Sequence, residues 1–208
     1  MSLAAAGLGL AACAGHEHGA SAPRGPATSG PNITAEPVAP VNAVATENAA
    51  TPCPEVQSWG TGPQQGGSAM TTAPLYLVRA GRHECYDRVV LDLNGAEDVG
   101  YSAEYVPVVR ADGSGRAVPV EGQAALQVVV RGPIWGTDTQ GHQPWRQPPR
   151  VGADLVSATD WDALTGVKFA GTFEGQTTLA VGVREQRPFR VWVRSEPGYR
   201  HVVVDIAR

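Results

Sequence analysis

Lysine is almost missing from this chain: of 16 basic residues, Lys168 is the only one that is not arginine. Against those 16 stand 20 acidic residues, so the formal charge is −4 and no basic surface dominates. Binding to nucleic acid through bulk electrostatics is therefore not expected. Long hydrophobic runs are also lacking, since the apolar stretch at residues 1–12, MSLAAAGLGLAA, falls far short of the roughly 20 residues a membrane-spanning helix needs. Cysteine occurs three times, with no CxxC and no paired histidine spacing, which leaves zinc without a ligand set. Catalytic signatures are missing as well. There is no GxSxG elbow, no HExxH and no phosphate loop, and Gly113-Ser114-Gly115 sits in a turn with no helix to follow. Asp160 and Asp162 flank Trp161 but lie too close on one short turn to straddle a scissile bond as glycosidase acids must, so capping and solvation are their expected roles. The expectation is a non-enzymatic chain with no metal and no cofactor.

What is present fits one domain of ordinary size with an appendage: 208 residues, 42% hydrophobic, with 25 Gly and 17 Pro. The arginine bias and abundant alanine suggest a GC-rich bacterial genome. Leu10-Ala11-Ala12-Cys13 resembles a bacterial lipobox, although no Lys or Arg precedes the apolar stretch. In that reading residues 1–13 are a signal-peptide remnant, Cys13 carries the lipid, and the protein sits on the outer face of the cytoplasmic membrane; without the lipid it is secreted or wall-associated. Residues 14–52, rich in Ala, Pro, Ser, Thr and Gly, show no apolar period and read as a disordered tether. Its 39 residues would span about 35 Å as a coil. His16-Glu17-His18 defines no coordination geometry there, and the Asn32-Ile33-Thr34 sequon is read as chance.

Residues 53–208 form the expected domain. With Cys13 assigned to lipid, Cys53 and Cys85 remain as an even pair at its start, and an exported protein makes a disulfide the natural reading, with two separate buried thiols as the alternative. From about Leu75 short alternating segments recur between Gly, Pro and Asp turn signals. Residues 86–93 put Val89, Leu91 and Leu93 on one side and Arg88 and Asp92 on the other; Val202, Val204 and Ile206 alternate against His201, Val203 and Asp205. The segment 99–110 is broken by Pro107, and 124–130, 167–173, 177–184 and 189–193 continue the series. Only residues 160–164 read as a helical turn. Without crossover helices, eight or nine such strands predict an all-β, antiparallel β-sandwich.

Val78-Arg79-Ala80-Gly81, Cys85-Tyr86-Asp87-Arg88-Val89-Val90-Leu91-Asp92-Leu93, Gly100-Tyr101, Tyr105-Val106, Val118-Pro119-Val120-Glu121-Gly122, Phe173-Glu174-Gly175, Arg187-Pro188-Phe189-Arg190-Val191 and Val202-Val203-Val204-Asp205 together resemble the AMIN-like domain of exported bacterial proteins, over about residues 55–208. The resemblance implies a β-sandwich related to the AMIN domain, which localises cell-wall amidases and is associated with peptidoglycan binding, and it brings no catalytic residues. Asp87 and Arg88 are expected to act structurally, through an ion pair or turn hydrogen bonds. Trp59 is expected to plug the region beside Cys53, and Trp192 to cover the outer sheet face.

The loop 131–150, RGPIWGTDTQGHQPWRQPPR, is the sequence's own ligand candidate, because loops this long in a compact domain are usually functional or disordered. Trp135 and Trp145 would stack on sugar faces while Asp138, His142 and Arg146 hydrogen-bond to hydroxyls or carboxylates. In the alternative both tryptophans fold back over an open end of the sandwich and exclude water from its core. The functional expectation is a membrane-tethered envelope module that recognises peptidoglycan or an attached glycan. The competing expectation is an adaptor that pairs an envelope protein partner with an exposed edge strand.

Overall fold

The structure is a computed structural model that describes residues 53–135 and 147–208. Cys13, the signal remnant and the tether lie outside the described residues, as do Asp138, His142, Trp145 and Arg146 of the ligand loop. A single 3₁₀ turn at Pro54–Val56 precedes β1 (Gln64–Gly66), β2 (Leu75–Arg82), β3 (Tyr86–Asn94), β4 (Tyr101–Val106), β5 (Val109–Arg110) and β6 (Ala117–Val118). There follow β7 (Ala124–Val130), β8 (Asp154–Ser157), β9 (Leu164–Phe173), β10 (Gln176–Val183), β11 (Phe189–Glu196) and β12 (Tyr199–Ala207).

Two antiparallel sheets pack face to face. The larger has the order β1-β4-β7-β10-β9-β8, the smaller β11-β12-β3-β2, and β5 with β6 forms a separate hairpin. The inward residues are those the alternation selects: Val89, Leu91 and Leu93 of β3 and Val202, Val204 and Ile206 of β12 meet Leu126, Val128 and Val130 of β7 and Leu179, Val181 and Val183 of β10. β10 is buried on both faces rather than one, because the β5–β6 hairpin lays Val109 and Val118 over Ala180 and Ala170 on the outer side of the large sheet. No strand covers the outer side of the small sheet among the described residues.

The turns follow their residue chemistry. Glu174 (φ 51°) and Gly175 (φ 78°) are both left-handed, as a two-residue hairpin loop between β9 and β10 requires. Pro197-Gly198 joins β11 to β12 with Gly198 at φ 80°. Pro107 ends β4 and sends the chain out of the large sheet into the hairpin, so the extended segment at 99–110 is broken there into two strands, as its proline implies. β1 and β8 had no sequence signal: each is a short edge strand without alternation.

The helical turn expected at residues 160–164 does not form; the chain bends there and β9 begins at Leu164. The reason is tertiary. The fully buried Asp87 carboxylate accepts the N–H groups of Ala163 and Leu164, both at 3.0 Å, and its other oxygen takes Arg208 at 2.8 and 3.0 Å. Asp87 thus ties β3 of one sheet to β9 of the other and to the last residue of the chain. Asp162, by contrast, is exposed and pairs with Arg82 and Arg208.

Cys53 and Cys85 form a disulfide across 32 residues of sequence, which fastens the segment before β1 to the start of β3. That segment closes the open side of the sandwich. The Gln64 side chain donates to the Phe189 carbonyl at 2.6 Å and accepts the Val191 N–H at 2.9 Å, so one amide stands in for a neighbouring strand along the β11 edge. Tyr101 lies across Gly66, where a Cβ would come within 2.5 Å of its hydroxyl, and donates to the Val191 carbonyl at 3.0 Å.

Candidate functional site

The uncovered outer face of the small sheet carries the charged residues that the alternation sets opposite the core. Cross-strand register sorts them into rows. Arg190, Asp205 and Arg88 stand side by side on β11, β12 and β3, followed by Gly81 on β2. The next row is Trp192, Val203, Val90 and Arg79, and the third is Arg194, His201, Asp92 and Leu77. Glu196 and Tyr199 end the face at the β11–β12 turn.

In the first row Asp205 is fully buried although it points away from the core. Arg88 covers it through Nε at 2.6 Å and Nη2 at 2.9 Å, Arg190 through Nε at 2.8 Å, and Trp192 Nε1 lies at 3.4 Å. Charge-assisted bonds of this kind hold both guanidinium planes in place. The two planes are interleaved with aromatic rings: Arg190 lies 4.5 Å from the Trp59 ring and 5.8 Å from Tyr86, while Arg88 lies 5.1 Å from Tyr86 and 5.6 Å from Trp192. The result is a ladder of cations and rings, Trp59, Arg190, Tyr86, Arg88 and Trp192, standing on one carboxylate. His83 adds a ring stacked 4.6 Å from Tyr86.

The third row has its own buried carboxylate. Asp92 takes Arg79 through Nε at 2.7 Å and Nη2 at 3.2 Å, and His201 Nδ1 at 2.5 Å. These bonds to Asp92 raise the Arg79 guanidinium above its ordinary pKa, as Asp205 does for Arg88. Around the middle row lies a cleft of about 260 Å³, lined by Val90 and Val203 and by Arg88, Trp192, Arg79, His201 and Arg194. Apolar side chains, an indole and guanidinium groups suit a flat polar ligand bearing hydroxyl or carboxylate groups.

Of the ligand-loop residues singled out by sequence, Trp135 lies among the described residues and is not part of the cleft lining, while Asp138, His142, Trp145 and Arg146 lie outside the described residues. Trp135 is described and is 52% exposed, so it does not cap the core; its neighbour Ile134 is the residue that is fully buried. The loop leaves the sandwich where β2 begins, with Leu75 donating to the Pro133 carbonyl at 2.7 Å. Trp59 is half-buried and belongs to the ladder, and Trp192 covers the outer face as expected. Asp87 and Arg88 act structurally, but with Arg208 and Asp205 as their partners rather than with each other. Sequence reasoning passed over Arg79, Arg190, Arg194, Glu196 and His201. The signal available was their parity, since each occupies a strand position opposite the buried set.

The sequence profile of the AMIN-like domain matches residues 73–208, which takes in every strand from β2 to β12 and all the polar rows of the outer face, and leaves Cys53, Trp59 and Gln64 outside. No curated protein and no solved structure matches the chain. A profile match over that span of the chain, on the β-sandwich its motifs imply, shows that the chain belongs to the AMIN-like domain family.

Proposed function

We propose that the chain works as a cell-wall binding module outside the cytoplasm, a reading supported by a family that suggests a cell-wall-related binding role and by a disulfide that fits an extracytoplasmic location. We propose that its ligand is the peptidoglycan, or a glycan attached to it, and that the outer face of the small sheet is the surface that binds. The observation that carries this reading is the ladder from Trp59 to Trp192: rings and guanidinium groups are fixed by the buried Asp205 on a sheet face that no strand among the described residues covers. Sugar C–H faces stack on such rings, and arginines present paired donors to hydroxyls and carboxylates. Cys13 acylation with residues 14–52 as a tether would hold this face near the membrane, and the exposed Trp135 would offer a separate aromatic contact.

Sedimentation with purified sacculi stripped of wall proteins tests the reading. The unaltered chain should co-sediment, and Trp192→Ala should weaken binding by about tenfold, given stacking losses of about 1 to 3 kcal/mol in other stacked ligands. Full retention of binding by Trp192→Ala, with folding intact, would refute the assignment of this face. Strand pairing by an adaptor partner is less favoured at the β11 edge, where Gln64, Tyr101 and the Gly60 carbonyl already take the outward backbone groups from Phe189 to Val191.

A further inference from the structure

The outer face carries carboxylates of two kinds, of which Glu196 lines the cleft. Asp92 is buried and is held by Arg79 and His201, and Asp205, in the first row, is buried under Arg88 and Arg190. Glu196 is different: its side chain is 40% exposed, and it pairs at 2.7 Å with an Arg194 that is 62% exposed. From there its Oε2 faces His201 Nε2 at 3.5 Å, close enough for an ion pair but without forming a hydrogen bond. The His201 side chain is nine-tenths buried, and its Nε2 makes no hydrogen bond although Asp92 fixes the other ring nitrogen. Glu196 also adds to the electrostatic field at Arg79. One exposed carboxylate therefore sits among Arg194, Arg79 and His201, without fully satisfying the imidazole.

We infer that the cleft is a carboxylate-binding site and that Glu196 occupies the ligand's place in the free protein. This rests on the wall-binding reading above and names the chemistry recognised: an anionic group of the wall polymer rather than its neutral sugars alone. An exposed pair such as Arg194–Glu196 is worth little, so an incoming carboxylate exchanges with Glu196 at small cost. Arg194 then transfers from Glu196 to the ligand, and the Nε2 of His201 gains a hydrogen-bond partner. The buried pairs at Asp92 and Asp205 stay fixed and keep Arg79 and Arg88 in position. Stem-peptide carboxylates and acidic sugars share this chemistry.

The test compares the full chain with Glu196→Gln and Arg194→Gln in titrations with three probes: a soluble muropeptide with free stem carboxylates, the same muropeptide as its carboxamide, and a uronic-acid oligosaccharide. Removing the resident charge should tighten binding of a carboxylate probe by about threefold to tenfold, with no gain for the carboxamide; Arg194→Gln should weaken the same probe. A gain confined to the uronic-acid probe keeps the carboxylate site but transfers the ligand from stem peptide to acidic glycan. Equal or weaker carboxylate binding by Glu196→Gln, or an equal gain for the carboxamide, overturns the inference. On the unaltered chain, the imidazole NMR signal of His201 should move with a carboxylate probe and not with the carboxamide; an unmoved signal also overturns it. Sacculus sedimentation separates the two levels: if the unaltered chain binds sacculi but Glu196→Gln shows no gain, only this inference fails. If the carboxylate probe behaves as expected and sacculi are not bound, the wall reading fails and the site stands.

Discussion

Replacing Asp87 by alanine tests whether the motif that identifies the domain is a structural clasp or a ligand contact. In the structure its carboxylate is fully buried and accepts two backbone N–H groups from the start of β9 and two guanidinium N–H groups from Arg208. Alanine would orphan both backbone donors and leave Arg208 with only the exposed Asp162 at 3.5 Å. Hydrogen bonds to a charged group contribute about 1.5 to 3 kcal/mol each, and they do not add in full because the β9 end can relax. Breaking a buried pair from one side costs about 3 to 5 kcal/mol, and that is the expected loss. For a domain of about 150 residues this lowers the melting midpoint by roughly 10 to 15 °C. Asp87→Asn should lie between the parent and the alanine variant, because one oxygen still serves the two N–H groups while the ion pair with Arg208 is lost. Thermal and urea melts with the disulfide intact measure this directly, and the folded fraction should sediment with sacculi as the parent does. A midpoint within 3 °C of the parent, or loss of wall binding without loss of stability, would refute the clasp.

Three further outcomes are expected. Cys53→Ala with Cys85→Ala should lower the unfolding free energy by about 3.5 to 4 kcal/mol, the chain-entropy value for the 32-residue separation; an unchanged urea midpoint refutes it. Trp135→Ala, at a half-exposed position, should cost about 0.5 kcal/mol or less instead of the roughly 3 to 5 kcal/mol of a buried cap, as melting curves will show. Burial raises the Asp112 carboxyl above its ordinary pKa, against a lowering from the Thr178 hydroxyl, and one of its oxygens has no partner. Its folded form therefore favours the proton: the stabilising contribution is complete below the unfolded value of about 3.9 and is lost as pH rises through the raised folded value. Asp112→Asn should remove that dependence and be the more stable protein at pH 7, by at most about 1 kcal/mol; urea melts between pH 4 and 7 check the sign.

The sandwich was legible because its strands carry period-two alternation, and because Pro107, Glu174-Gly175 and Pro197-Gly198 have the backbone chemistry of the breaks they make. Residues 160–164 misled because Asp-Trp-Asp-Ala satisfies local helix-start rules, while the deciding contact, Asp87, lies 76 residues earlier in the chain. β1 escaped notice for a similar reason. Gln64 has no strand signature, and its role comes from an amide that reaches Phe189 and Val191 across more than 120 residues of sequence.

The site was hidden by the alternation that revealed the core. Parity along β3, β11 and β12 tells which residues face away from the interior, but a polar residue on the outer side of a strand is by default a solvated one. What turns Arg88, Arg190 and Trp192 into a fixed surface is register: antiparallel pairing sets Asp205 directly between Arg190 and Arg88. Register depends on turn lengths and on the inward residues, so it becomes readable only once the sheet is assembled. Burial then separates the partners by function. Asp92 and Asp205, enclosed beneath arginines, hold the face rigid, whereas Glu196, exposed at the turn, is free to exchange. On this face the two kinds of carboxylate have complementary roles. The buried pair fixes the guanidinium groups before the ligand arrives, and the exposed one keeps the cleft's charge compensated until an anionic ligand displaces it.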